Sequence, residues 1–80
     1  MNFAVYSKEG CPYCEKIKKV LTLTNLKYVV YNLDEHFDKK SFYDEFGEGT
    51  TFPQVVVDGQ KLGGCVDSIK FLREKKVIKV

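Results

Sequence analysis

The sequence predicts an α/β fold in the order β-α-β-α-β-β-α. Three observations carry it. Short apolar, β-branched or aromatic runs (Asn2–Tyr6, Tyr28–Leu33, Gln54–Val57) are separated by segments whose apolar residues recur at helical spacing. An Asp58-Gly59 dipeptide between two short strand-like runs signals a hairpin. The run Cys11-Pro12-Tyr13-Cys14 stands where the first strand gives way to the first helix.

Each element has a local cause. Asn2–Tyr6 (Asn-Phe-Ala-Val-Tyr) is apolar and rich in strand formers, and Ser7-Lys8-Glu9-Gly10 forms a turn after it. Pro12 suits the first helical turn, where its missing N–H costs nothing. Tyr13, Ile17, Val20, Leu21 and Thr24 then fall on one helical face, with Glu15, Lys16, Lys18, Lys19 and Thr22 on the other. Asn25 stops this helix. After the strand Tyr28–Leu33, Asp38 caps a short helix that runs to about Phe46, pairs Phe42 with Phe46 at i, i+4, and ends at Gly47. The aromatic pair reads as core. Gln54–Val57 is the third strand and Gln60-Lys61-Leu62 the fourth. A last helix from about Asp67 turns Ile69 and Leu72 inward. It carries Arg73, Lys75 and Lys76 in its final turns, where cations suit the dipole.

Eighty residues make one domain with a modest core, burying about 60–65% of the unfolded surface. No window approaches the ~20 apolar residues of a membrane span, and the N-terminus lacks a charged-then-apolar leader pattern. The net charge of +2, with lysines spread over several elements, argues against nucleic acid. Three cysteines is an odd count, unlike a secreted disulfide scaffold, so a reducing cytoplasmic setting is expected. No repeat, linker or low-complexity segment is present.

Strand, turn, cysteine pair, helix is the context that turns a bare C-x-x-C into a redox motif. At i and i+3 both side chains lie on one face of the first turn, close enough to bridge. Cys11 falls just outside the helix, where unpaired N–H groups and the positive end of the dipole favour thiolate. Cys11 is therefore the nucleophile and Cys14 the resolving thiol, with Lys8 adding positive charge nearby. Pro12 and the helix start imply an exposed end. A zinc half-site would share the C-x-x-C, but it needs Cys65 or His36 as further ligands, and these stand alone in unrelated settings. A structural disulfide would close too small a loop to constrain the unfolded chain much.

Two further segments offer a binding site. Thr51-Phe52-Pro53 precedes the third strand, where a proline cannot donate a ladder hydrogen bond. In Gly63-Gly64-Cys65-Val66-Asp67, amides at a helix start can capture a carboxylate, and the Asp67 acid can capture an ammonium. Together they suit an α-amino acid head group. The same segment also reads as a plain hairpin exit followed by an Asp-initiated helix.

CPYC, Thr-Phe-Pro and GGCVD, in this order and on this strand–helix pattern, resemble a dithiol glutaredoxin over the whole chain. The resemblance implies a thioredoxin fold: a four-stranded mixed sheet flanked by three helices, with Pro53 cis and facing the cysteines. It also implies glutathione as redox co-substrate, with no metal expected. On that likeness the tripeptide's cysteine meets Cys11, and its backbone pairs with Phe52 beside Pro53. Its γ-glutamyl head rests on Val66 and Asp67, its glycine carboxylate faces Lys8 and Lys40, and Tyr13 lines the groove. Cys65 reads as a small packed residue. Many family members carry an arginine shortly before the Thr-x-Pro segment. Here that stretch is Gly47-Glu48-Gly49-Thr50, with glycine at that place, so carboxylate binding leans on the lysines.

The expected activity is glutathione-dependent reduction of protein disulfides and glutathionylated thiols by a monomer. Two other functions share parts of the pattern. A thioredoxin-like donor fed by a flavin reductase would not need the Val66-Asp67 site, and Pro-Tyr between the cysteines and the absence of tryptophan weigh against it. A carrier of a glutathione-ligated [2Fe-2S] cluster would use Cys11 in two protomers, with Pro12 stiffening the loop and Cys14 competing by disulfide formation.

Overall fold

In the computed structural model, which describes residues 2–75, the elements are β1 (Asn2–Ser7), α1 (Pro12–Leu23), β2 (Lys27–Asn32), α2 (Lys39–Phe46), β3 (Gln54–Val57), β4 (Gln60–Gly63) and α3 (Cys65–Glu74). The order is the expected one. β1 runs one residue further than its apolar pattern, because Ser7 pairs with Asn32. β2 ends at Asn32 because Leu33 leaves the ladder: its N–H still donates to Ser7 O at 2.9 Å, while Leu33 forms an isolated bridge to Phe37.

The sheet order is β2-β1-β3-β4. β1 and β2 are parallel, from Asn2↔Lys27 to Ser7↔Asn32, a pairing that requires a crossover and receives it from α1. β3 lies antiparallel to β1 on its other side, and β4 antiparallel to β3 with a register shift between Val55 and Val56. Alternation along β1 sends Phe3, Val5 and Ser7 to one face, fully buried, and half-buried Ala4 and Tyr6 to the other.

The two faces are covered differently. On the first, Phe3, Val5, Val55 and Val57 pack with Ile17 and Leu21 of α1 and with Cys65 and Leu72 of α3. Each large side chain buried there contributes about 1.5–3 kcal/mol relative to exposure. The second face meets α2 through an aromatic layer. The Tyr6 ring lies 4.9 Å from Phe46 and 5.3 Å from Phe37, and Phe42 stacks on Phe52 at 4.3 Å with an interplanar angle of 11°. Phe42 is buried, so the i, i+4 pair is core as expected.

The helix ends follow their signals with one exception. Asn25 stops α1 with a left-handed φ of 58°. Asp38 caps α2, accepting the Ser41 N–H at 2.8 Å, which holds its carboxyl below the ordinary value. Gly47 ends that helix with φ 104°. α3, however, starts at Cys65, two residues before Asp67, with Gly64 as N-cap and no side-chain cap bond. Asp67 therefore sits inside the first turn and is not the cap. Another correction concerns α1, whose buried face is Cys14, Ile17 and Leu21, with Val20 and Thr24 half-buried, while Tyr13 points outward at 59% exposure. Lys76, expected in the last helical turn, lies outside the described residues.

Candidate active site

The site begins at the mouth of α1. Cys11 is the N-cap, in extended conformation (φ −109°, ψ 103°), and Pro12 follows in the first turn. The Cys14 N–H donates to Cys11 Sγ at 3.2 Å, and the Glu15 N–H donates to Cys11 O at 3.2 Å. The sulfur thus occupies the place that a serine or aspartate oxygen takes in an ordinary N-cap. Donation to that sulfur, with the helix dipole behind it, favours negative charge on Cys11. The two cysteines are joined as a disulfide with Cα atoms 5.2 Å apart, within the ordinary range. Cys14 is fully buried. Cys11 keeps 7% exposure, less than the exposed end implied by Pro12, although Pro12 and Tyr13 beside it are open to solvent. Of the two sulfurs, an incoming thiol meets Cys11 first.

Beside the disulfide, an open groove of about 180 Å³ is lined by Tyr13, Thr51, Phe52, Pro53, Gly64, Cys65 and Val66. The Phe52-Pro53 peptide is cis and Pro53 is buried. α1, the segment before β3 and the first turn of α3 therefore supply one wall each. A Cβ built at Gly64 would lie 3.6 Å from Pro53 O, so the N-cap of α3 sits directly against the cis proline.

Asp67 is not among the residues lining this groove; it follows Val66 in the first turn of α3 and lies against Gly63. A Cβ at Gly63 would fall 2.6 Å from Asp67 Oδ2, so the carboxylate lies over a backbone that only glycine leaves clear. Gly63 also has φ 105°, which favours glycine independently. Lys8 reaches the group from β1's exit: its Nζ stands 5.6 Å from the centre of the Phe52 ring. Lys40 is exposed in the first turn of α2 and is not among the residues lining the groove. Gly49 has φ 82° and no atom within 4 Å of a built Cβ.

Cys65 lies in the core at 4% exposure and is unpaired, and burial pushes its thiol up, partly offset by Lys16. His36 is engaged elsewhere, its Nδ1 accepting the Asn32 N–H at 2.9 Å. Among the described residues no group of three or more His, Cys, Asp or Glu is placed to hold a metal ion.

Thr51 and Gly64 are walls of the groove that sequence reasoning did not single out, although both belong to motifs it quoted. Phe42, read from the sequence only as core, supports the groove without lining it. Stacked against Phe52, it holds one wall from behind, and its i, i+4 aromatic spacing signalled only burial.

Comparison with known proteins agrees with this arrangement. The Glutaredoxin family model matches residues 3–62. Glutaredoxin 3 of Escherichia coli (strain K12) is 33% identical over 66 residues, 82% of this chain and 80% of that protein. A glutaredoxin of Ricinus communis is 39% identical over 64 residues, 76% of this chain and 63% of that protein. Among solved structures, glutaredoxin 1 from Francisella tularensis, complexed with cacodylate, superposes with a TM-score of 0.78 at 26% identity, covering 98% of both chains. A buckwheat glutaredoxin–glutathione complex gives 0.78 at 28% identity, covering 94% of this chain and 71% of that one. The mixed sheet with helices on both faces is the thioredoxin fold these proteins share. With its disulfide at the mouth of α1 and a matched segment spanning most of the sheet, the chain belongs to the glutaredoxin family as a dithiol member.

Proposed function

We propose that this thiol–disulfide oxidoreductase draws its electrons from glutathione and reduces protein disulfides and glutathionylated thiols. The observation that carries the reading is the Cys11–Cys14 disulfide at the N-cap of α1, beside an open groove between Tyr13, Phe52-Pro53 and the start of α3. The groove suits an extended tripeptide. Backbone at Phe52 and Pro53 faces the ligand chain, the first turn of α3 offers N–H groups to a carboxylate, and Asp67 offers a partner for an ammonium. Lys8 supplies a cation for the second carboxylate. Lys40, exposed in the first turn of α2, is the second candidate cation for it.

The reaction balances through sulfur alone. The Cys11 thiolate attacks the glutathione sulfur of a glutathionylated client and expels the client thiolate, leaving Cys11 in a mixed disulfide with glutathione. A second glutathione thiolate attacks that glutathione sulfur, giving oxidised glutathione and restoring the Cys11 thiolate. With a protein disulfide, Cys11 forms a mixed disulfide to the client and Cys14 displaces the client's sulfur. The product is the Cys11–Cys14 disulfide, and two glutathione molecules reduce it in turn. A thiolate favoured by the helix mouth serves in both directions, as nucleophile and as leaving group. A single domain acting as a monomer in a reducing, cytoplasmic setting suits this cycle.

Asp67→Ala tests the groove. Because Gly64 is the N-cap of α3 and Asp67 makes no cap bond, the substitution separates binding from capping. The apparent KM for glutathione is expected to rise about three- to tenfold, the worth of a charge-assisted contact discounted for exposure. An unchanged KM would remove Asp67 from the site.

A further inference from the structure

On the sheet face away from the disulfide helix lies a second pocket that the redox chemistry does not use. It has a volume of about 310 Å³, at the lower end of the range for small-ligand sites. Five aromatic side chains line it, Tyr6, Tyr31, Phe37, Phe42 and Phe46, together with Glu45, His36 and Ser41. Tyr6 and Tyr31 pack at 5.3 Å between ring centres, and Tyr6 meets Phe46 edge-on at 4.9 Å. Burial first, then the neighbouring Tyr31 and the Glu45 carboxylate, push the Tyr6 hydroxyl's pKa up.

Aromatic faces carry partial negative charge, and a carboxylate beside them completes a site for a cation. The molecule already shows this preference at two of the lining residues, Phe46 and Glu45. Lys61 of β4 places its ammonium 5.2 Å from the centre of the Phe46 ring and 3.5 Å from Glu45 Oε1, and donates to the Glu45 carbonyl. His36 turns its Nδ1 to the Asn32 N–H, from which it accepts at 2.9 Å. Tyr31 is 38% exposed and Glu45 63% exposed along its side chain, so the pocket is open from solvent.

We propose that this aromatic pocket binds an organic cation of guanidinium or alkylammonium type. Two sources share that chemistry, a free small amine and a basic side chain presented by a redox partner. The pocket connects to the redox groove through the stack Phe37–Phe42–Phe52, whose last ring precedes the cis proline. A partner side chain seated here would therefore lie on the same aromatic layer that backs the groove. The cation site itself does not depend on the choice of glutathione as reductant.

The test is an NMR titration of the reduced protein with N-acetyl-arginine amide and with its neutral isostere N-acetyl-citrulline amide, following the ring protons of Tyr6, Tyr31 and Phe46. The arginine compound is expected to give saturable shifts confined to these rings, with citrulline at least fivefold weaker. Glu45→Gln, at an exposed position, should weaken arginine binding severalfold. Lys61→Met should strengthen it, by releasing Glu45 from its internal counter-ion. Equal binding of arginine and citrulline, or arginine shifts unaffected by both variants, would overturn the proposal. A glutathionylated peptide carrying arginine or citrulline then separates the sources. A kcat/KM advantage for arginine that Glu45→Gln abolishes identifies a partner side chain, and saturable titration without such an advantage identifies a free amine.

Discussion

At the scale of single residues, Cys11 and Cys14 differ in what surrounds their sulfur. Cys11 accepts an N–H at the helix mouth and retains the pair's exposure, whereas Cys14 is fully buried within the first turn. Cys11→Ser is therefore expected to abolish all thiol exchange. Cys14→Ser should keep deglutathionylation of small mixed disulfides, which needs one sulfur, and lose most reduction of protein disulfides. Parallel assays on a glutathionylated peptide and a protein disulfide check this, and equal loss in both variants would refute the division of roles. Gly49 poses a different question at the same scale. An arginine there meets no neighbour within 4 Å of its Cβ but must adopt φ 82°, a left-handed strain of about 1–2 kcal/mol. Gly49→Arg should lower the melting temperature by several degrees and lower the KM for glutathione if that carboxylate contact is vacant. A lowered melting point with unchanged KM would show that the side chain does not reach the groove.

At the scale of elements, α1 sets the chemistry, the segment before β3 and the start of α3 set the binding walls, and α2 backs the first of these through Phe42 on Phe52. The N-terminus of α1 directs the Cys14 N–H at Cys11 Sγ, so the reduced Cys11 should ionise below the ~8.5 of a free cysteine. Iodoacetamide alkylation followed against pH should show one fast thiol with a low midpoint. A single transition at the unperturbed value would contradict the capping role of the sulfur. The elements were largely legible in the sequence because their signals are local: Pro12 after a strand, Asp38 three residues before Ser41, Asn25 and Gly47 as stops. Where the reading failed, the cause was tertiary or ambiguous. Asp67 has the composition of an N-cap, yet Gly63 and Gly64 turn the chain early enough to start α3 at Cys65. Tyr13 has helical spacing with Ile17, but the first turn faces the cis proline and leaves its ring in the groove. No spacing rule shows which lysine reaches a site, and it is the structure that joins Lys8 to Phe52. The aromatic layer was visible only as Phe42 and Phe46. Tyr6, Phe37 and Phe52 enter it from three other segments, which a linear pattern does not connect.

At the scale of the whole molecule, the two sheet faces divide the labour. One holds the aliphatic core shared by α1 and α3, with Cys65 packed inside it and raised in pKa by burial. The other carries the aromatic layer that connects the cation pocket to the back of the Phe52-Pro53 wall. Between them, the open end of the sheet brings together the helix mouth of α1, the cis proline before β3 and the first turn of α3. On the proposed reading the start of α3, with Val66 and Asp67, is what a glutathione-dependent protein needs and a bare thioredoxin-like couple does not, and the electron source is its most direct readout. The decisive measurement is the turnover of a glutathionylated peptide with glutathione and glutathione reductase, set against turnover with thioredoxin reductase. Turnover supported by glutathione and negligible with thioredoxin reductase is the predicted result; turnover sustained by thioredoxin reductase alone would contradict the account.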